Sequence, residues 1–331
     1  MIISRTPFRI SFFGGGTDYP AWFKGHGGKV LTSTINRYCY ITVRYLPSFF
    51  DQRHRVVWSK IETVNAVEEI QHPVVRASLE FMNIQRGVEI HHQGDLPARS
   101  GLGSSSAFTV GLLHSLAALT EKRTSKKHLA DDAIFIEQQL LAEAVGIQDQ
   151  IQVAHGGLNV INISRDGAYR VSPVTISSPR IQELESHLML FFTGISRFAS
   201  DIARAQIKVI PDKAREFSQL HAMVDRGVDI LSGQEPINNF GHLLSEAWAI
   251  KRGLADTISN ARIDSLYELA MSAGATGGKL LGAGGGGFML LFAPPERQAG
   301  IREALSAYLE VPFRFESMGT QIIFNDQDLV D

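Results

Sequence analysis

Three glycine-dense segments hold the residues of this chain whose types and spacing could do chemistry. The middle one, Gly101-Leu102-Gly103, runs into Ser104-Ser105-Ser106 and then an apolar stretch from Ala107 to Leu119. A glycine turn that opens a helix presents unsatisfied N–H groups and the positive end of the macrodipole, which together attract phosphate. An ordinary serine cap is the competing explanation, but one hydroxyl satisfies a cap and three stand here. The first segment joins Gly14-Gly15-Gly16 to Thr17-Asp18-Tyr19. The last concentrates 8 of the 30 glycines between residues 274 and 287, a density that implies unusual backbone angles or close approach by another group.

Common nucleotide and hydrolase signatures do not account for these segments. A Walker A loop fails around Lys279, with Ala273 in place of its first glycine and Leu280 after the lysine. Gly282, Gly284 and Gly287 match G-x-G-x-x-G formally, yet they lead into the strand-like run 288–292 rather than a helix, against a dinucleotide site. H-E-x-x-H and G-x-S-x-G are both missing from the sequence.

The elements that must position these residues follow from periodicity. Residues 8–13 read as a strand entering the first glycine turn, 29–46 and 88–92 as strands, and 54–61 as one short strand. Helical spacing covers 73–82, 107–119 and 125–143, the last with Leu129, Ala133, Ile136 and Leu140 on one face and Glu137 on its polar flank. Gly146-Ile147-Gln148-Asp149-Gln150 precedes strands near 158–163 and 168–174. Residues 173–179, rich in Pro, Ser and Thr, mark the expected boundary between a first unit, 1–175, and a second, 176–331. The second opens with a buried strand at 188–194, then helical patterns over 198–231, 239–254 and 262–273; after the last glycine segment come the strand 288–292, a final helix and two short strands. Strands and helices interleave without regular βαβ alternation, which favours α+β.

Composition narrows the field further. The 331 residues carry 32 Lys+Arg against 34 Asp+Glu, so no broad basic footprint for nucleic acid is expected. A lone cysteine, Cys39, excludes a disulfide framework and a multi-cysteine metal site. Arg5 and Arg9 interrupt the apolar N-terminus, and no apolar run nears the ~20 residues of a membrane span. The chain reads as cytoplasmic, without a membrane or nucleic-acid partner; a homodimer is compatible with it.

Taken in order, residues 7–9 with 14–19, Leu96-Pro97-Ala98-Arg99-Ser100 with 101–106, 146–150 and 279–287 resemble the GHMP small-molecule kinases over essentially the whole chain. Within that family the segment FFGGGTDYP is most similar to the kinases of D-glycero-α-D-manno-heptose 7-phosphate. Galactokinases carry Gly-Glu-His before Thr-Asp-Tyr, where this chain has three glycines, leaving room for a larger or phosphorylated sugar. The resemblance implies two lobes, one similar to ribosomal protein S5 domain 2 and one ferredoxin-like. It implies an ATP- and Mg²⁺-dependent sugar 1-kinase acting on the heptose 7-phosphate, with a galactokinase- or fucokinase-like enzyme, or a non-catalytic sugar and nucleotide sensor, as alternatives.

The same resemblance assigns roles. Arg99, Ser100 and the 101–106 turn (Gly101, Leu102, Gly103, Ser104, Ser105, Ser106) would wrap the nucleotide phosphates, and Ser105 with Glu137 would hold Mg²⁺. Asp149 would receive the attacking hydroxyl and Arg9 would lie beside it; a neighbouring arginine favours a charged carboxylate, suited to orientation with late proton acceptance. Gly15, Gly16, Thr17, Asp18, Tyr19, Gly284, Gly285 and Gly286 would face the sugar, and Trp58 and Ser59 would flank adenine. A phosphate on the substrate would need a cation, for which Arg197, Lys29 and Arg99 are available.

Overall fold

A computed structural model describes residues 1–98, 100–195 and 199–326. Two sheets, both largely antiparallel, organise it, in keeping with α+β. The larger is built on β1 (Ile2–Phe13) and β2 (Gly28–Tyr45), which pair along most of their length, with Phe8 opposite Ile35 and Arg9 opposite Thr34. Around them lie β3 (His54–Val57), β4 (Ile61–Val64), β5 (Val88–Gly94), β6 (Leu158–Ile163) and β7 (Tyr169–Pro173). Two strands from the end of the chain, β12 (Phe315–Glu316) and β13 (Gln321–Asn325), return to this sheet and pair with β2 and β1. The smaller sheet runs β11 (Leu309–Glu310), β8 (Leu188–Phe192), β10 (Phe288–Phe292) and β9 (Gly277–Leu280).

Helix α3 (Ser104–Leu119) is apolar on nearly every side because it is buried on nearly every side, lying across β1 and β2. Gly111 permits the close approach, since a Cβ there would come 2.8 Å from Thr6 Oγ1, and Ser4 Oγ donates to its carbonyl. Around α3 stand α2 (Pro73–Phe81), α4 (Lys126–Phe135) and α5 (Gln148–His155), while α1 (Pro20–His26) closes the turn between β1 and β2. The later helices are α6 (Ser178–Ser186), α7 (Ala199–Val209), α8 (Ala214–Ser232), α9 (Asn238–Arg252), α10 (Ala261–Ser272) and α11 (Gln298–Ala304); α9 and α10 pack on the smaller sheet, while α8 packs on α9 and on β1 and β2 of the larger one. Among the described residues no helix is long and apolar enough to cross a membrane.

Several sequence expectations need correction. The run 54–61 is a hairpin, β3 and β4, with Trp58 and Ser59 at its turn. The helix expected over 125–143 ends at Phe135 and passes into a π-helical turn, Ile136–Leu140. The pattern over 198–231 is two helices separated around Pro211, whose ring and missing N–H stop a helix. Lys279 lies in a four-residue strand, β9, rather than in an open glycine loop.

Candidate active site

Helix α3 follows its N-cap Gly103, whose φ of 74° is a left-handed conformation that favours glycine. As a glycine, this N-cap brings no side-chain oxygen of its own to the first turn. Two contacts hold this turn in place. Arg9 N–H donates to Leu102 O at 2.9 Å, tying it to β1, and the opposite side abuts the last glycine segment. A Cβ on Gly101 would lie 2.6 Å from Leu281 O, one on Gly282 would lie 2.5 Å from Gly101 Cα, and one on Gly287 would collide with Ser100 O. Glycine is required because two main chains touch. Ser100 Oγ, fully buried here, has no hydrogen-bond partner among the described residues.

Arg9 and Asp149 meet at the mouth of this turn. Arg9 Nε donates to Asp149 Oδ1 and Nη2 to Oδ2, both at 2.7 Å, while Nη1 donates to Gly101 O at 2.6 Å. Arg9 is 3 % exposed and Asp149 half-buried, so this bidentate, charge-assisted pair is shielded on its guanidinium side. A Cβ on Gly103 would fall 3.1 Å from Arg9 Cγ and 3.4 Å from Asp149 Oδ2, so the turn and the ion pair are in contact. Residues 9, 101–103 and 149, far apart in sequence, form one constellation.

The first glycine segment supports it from the side. Asp18 is buried, accepts from Gly16 N–H at 2.9 Å and Gln148 N–H at 3.4 Å, and thereby locks the turn after β1 to the start of α5. Burial and the nearby Asp149 push its pKa up. Thr17 Oγ1 lies within hydrogen-bond reach of Gly14 O and Lys29 O, so its hydroxyl serves the turn itself. Tyr19 is buried, with its hydroxyl pKa raised by burial. Gly15 is half-buried, and beside it lie Ser11 Oγ and Gln148 Nε2, 3.6 Å and 3.9 Å from a Cβ built there. Among the described residues Ser11 Oγ and Gln148 Oε1 are buried atoms without partners, two polar groups that sequence reasoning did not single out. Gly16 abuts the Phe217 ring, Gly284 packs on Ile258, Gly285 N–H donates to Ile258 O at 2.8 Å, and Gly286 rests against Ile195.

Glu137 is fully buried rather than on a polar flank. Its carboxylate accepts from Thr109 Oγ1 at 2.7 Å, Ser106 Oγ at 3.1 Å and Gln150 Nε2, and burial pushes its pKa up to about 7 despite those donors. Ser106 and Thr109 thus link Glu137 to α3, while Ser105 is exposed on the first turn. The oxygen-rich donor set, with Gln150 Oε1 unpartnered, suits a hard cation such as Mg²⁺. Among the described residues no group of three His, Cys, Asp or Glu side chains converges on a metal.

The remaining sequence candidates fare differently. Trp58 Nε1 donates to Glu62 at 2.8 Å, and its ring meets His72, which stacks on Phe108 of α3 with centroids 4.7 Å apart. Ser59 is exposed at the hairpin turn. Lys29 is paired with Asp225 at 2.8 Å. Arg99 and Arg197 lie outside the described residues. Sequence reasoning also missed Lys251 on α9, whose Nζ donates to Gly282 O, because a lysine at helical spacing resembles a surface charge.

Known proteins match this arrangement along the chain. Residues 64–157 match the model of the GHMP kinases N terminal domain, and residues 233–311 that of GHMP kinases C terminal. The D-glycero-alpha-D-manno-heptose 7-phosphate kinase of Campylobacter jejuni is 27 % identical over 318 residues, covering 92 % of this chain and 93 % of the relative. The bifunctional fucokinase/GDP-fucose pyrophosphorylase of Arabidopsis thaliana is also 27 % identical, over 92 % of this chain but 31 % of its own length. Among solved structures, a D-glycero-D-manno-heptose 1-phosphate kinase from Bacteroides thetaiotaomicron superposes with a TM-score of 0.81 at 23 % identity, covering 99 % of this chain and 100 % of the other. Galactokinase of Lactococcus lactis, complexed with galactose, gives 0.73 at 16 % identity over 97 % and 94 %. Those two structural likenesses speak for the fold, and with the two family models and the full-length relative they make this chain a member of the GHMP kinase family, a phosphotransferase.

Proposed function

We propose that the protein transfers the γ-phosphoryl group of ATP, with Mg²⁺, to the anomeric hydroxyl of D-glycero-D-manno-heptose 7-phosphate, giving the 1,7-bisphosphate. The observation that carries this is the bidentate Arg9–Asp149 pair lying against the glycine N-cap of α3. Phosphoryl transfer needs positioning and charge neutralisation more than covalent help. The main chain of residues 101–106, with the orphaned Ser100 hydroxyl beside it, would cradle the phosphates. Asp149, held by two charge-assisted bonds, would orient the attacking hydroxyl and take its proton late. Arg9 keeps that carboxylate in place and brings positive charge to the transfer point.

Glu137 and Ser105 would hold the magnesium ion, which when bound supplies neutralisation of the β- and γ-phosphates. Ser11 Oγ and Gln148 Oε1, unpartnered beside the half-buried main chain of Gly15, would accept or donate to sugar hydroxyls. The aromatic shelf of Trp58, His72 and Phe108 near the second turn of α3 suits a nucleobase. A phosphate already on the sugar would be met by Arg197, Lys29 or Arg99, of which Lys29 is already paired with Asp225. With this goes a division into a nucleotide-binding unit, 1–175, and a second unit, 176–331, joined between β7 and α6.

The test is ADP release from ATP and Mg²⁺ across a panel of sugars. Turnover with the heptose 7-phosphate exceeding that with galactose and fucose is expected. Robust turnover with unphosphorylated sugars alone overturns the substrate, and silence with every sugar favours a sensor.

A further inference from the structure

Lys251 has a burial and a position that the roles above do not use. It lies on α9, is 7 % exposed, and its one side-chain hydrogen bond among the described residues runs to the carbonyl of Gly282. Gly282 is the residue whose main chain touches Gly101 of the phosphate turn. No carboxylate lies within ion-pair distance of Lys251 among the described residues, so a buried ammonium has two N–H groups without acceptors. Unpaired buried charges are rare because desolvation disfavours them strongly.

The charged groups facing it are Arg9 on β1, Asp18 in the turn after β1, Asp149 on α5 and, through Lys279, β9. Arg9 already holds Asp149 through both its oxygens, and Lys279 Nζ donates to Phe12 O at 2.7 Å, beneath the sheet. Among the described residues Lys251 and Lys279 are both buried ammoniums with one carbonyl acceptor, and Lys251 is the one whose acceptor, Gly282, touches the phosphate turn. Burial, with Arg9 adding to it, pushes its pKa down to about 8, which places the proton in a range that a bound anion would shift upward.

We propose that Lys251 is a catalytic residue whose ammonium contacts the oxygens of the phosphoryl group as it moves. This rests on the phosphoryl-transfer reading of the Arg9–Asp149 site. As the acceptor oxygen bonds to the γ-phosphorus, its proton passes to Asp149; the bond to the β–γ bridging oxygen breaks with its electron pair, which leaves on ADP. Lys251 remains protonated throughout and neutralises the equatorial oxygens, while its bond to Gly282 keeps the two glycine segments in register.

The experiment compares wild type with Lys251→Met and Lys251→Arg. Methionine fills the same space without a buried charge, so the fold should tolerate it, and thermal unfolding checks this. The expected result for K251M is a fall in kcat of about 10²-fold or more with the ATP KM changed by less than about threefold. Added ethylammonium should restore part of the rate to K251M, and K251R should retain more activity than K251M. Calorimetry of adenylyl imidodiphosphate with Mg²⁺ at about pH 8.5, in buffers of different ionisation enthalpy, should show proton uptake by wild type that K251M lacks. A kcat within about threefold of wild type, or equal proton uptake by both proteins, overturns the assignment. If wild type turns over no sugar, the functional reading fails on its own, and the calorimetry still decides the role of Lys251.

Discussion

Replacing Glu137 with glutamine should make the protein more stable at pH 8 and cost it activity. Burial raises the carboxyl from 4.5 to about 7, so between those values the folded protein holds a proton that the unfolded chain has released. A raised carboxyl contributes stability that is full below pH 4.5 and is lost as pH rises through 7. At about 1.4 kcal/mol per pH unit, the loss at this site between pH 5 and 8 is about 2 to 3 kcal/mol, an upper figure for a group with this many donors. Glutamine escapes that loss without stranding a neighbour. Its oxygen can take Ser106 and Gln150, and its amide can donate to Thr109, whose hydroxyl then turns to Ser105 O, already 3.2 Å away. Urea unfolding of both proteins in EDTA, without nucleotide, at pH 5 and pH 8 isolates the effect because all other titrations cancel in the difference. The advantage of E137Q should be small at pH 5 and grow by about 2 kcal/mol at pH 8. An advantage that does not change with pH, or a mutant less stable at pH 8, refutes the reasoning. Adding Mg²⁺ and adenylyl imidodiphosphate should then stabilise wild type more than E137Q, if Glu137 binds the cation as proposed.

Asp149→Asn should lower kcat by about 10²- to 10⁴-fold while nucleotide affinity by calorimetry stays within a few-fold, since the phosphate turn is untouched. Gly146→Ala would drive a methyl into the Asp18 carboxylate, so the sugar KM should rise steeply while the ATP KM moves little. Gly101→Ala combines a positive φ of 80° with a clash on Leu281 O and should destabilise by about 2 kcal/mol or more, read as a lowered unfolding midpoint. Asp225→Ala removes an exposed partner of Lys29 and should change stability by less than about 1 kcal/mol, with turnover unaltered.

Much of the constellation was legible because its glycine segments meet main chain to main chain. Glycines at 101, 103, 282 and 287 announce close approach whatever the neighbours, and the serine run marks a helix start that proved to lie at Ser104 rather than Ala107. Strands β1, β2, β5 and β10 showed through their β-branched and aromatic runs. What stayed hidden depends on partners distant in sequence. The π turn around Glu137 follows from hydroxyls on α3, about thirty residues earlier, which local periodicity cannot register. Strand β9 was concealed because Gly277 and Gly278 read as a turn, yet α9 and β10 press too closely there for side chains. Lys251 and Ser11 were overlooked for the same reason: only the tertiary arrangement makes a lysine or a serine an unpaired buried group.

The pairing of β1 with β13 has a consequence for how the chain is made. Ile2 sits opposite Asn325 and Arg5 opposite Gln321, so β1 leaves the ribosome long before the strand that covers its outer edge. Such a distant closure slows folding, and until it occurs an apolar ribbon with an open edge is available to neighbouring nascent chains. Truncation that removes β13 should therefore show first as poor soluble yield, before any defect in turnover can be measured.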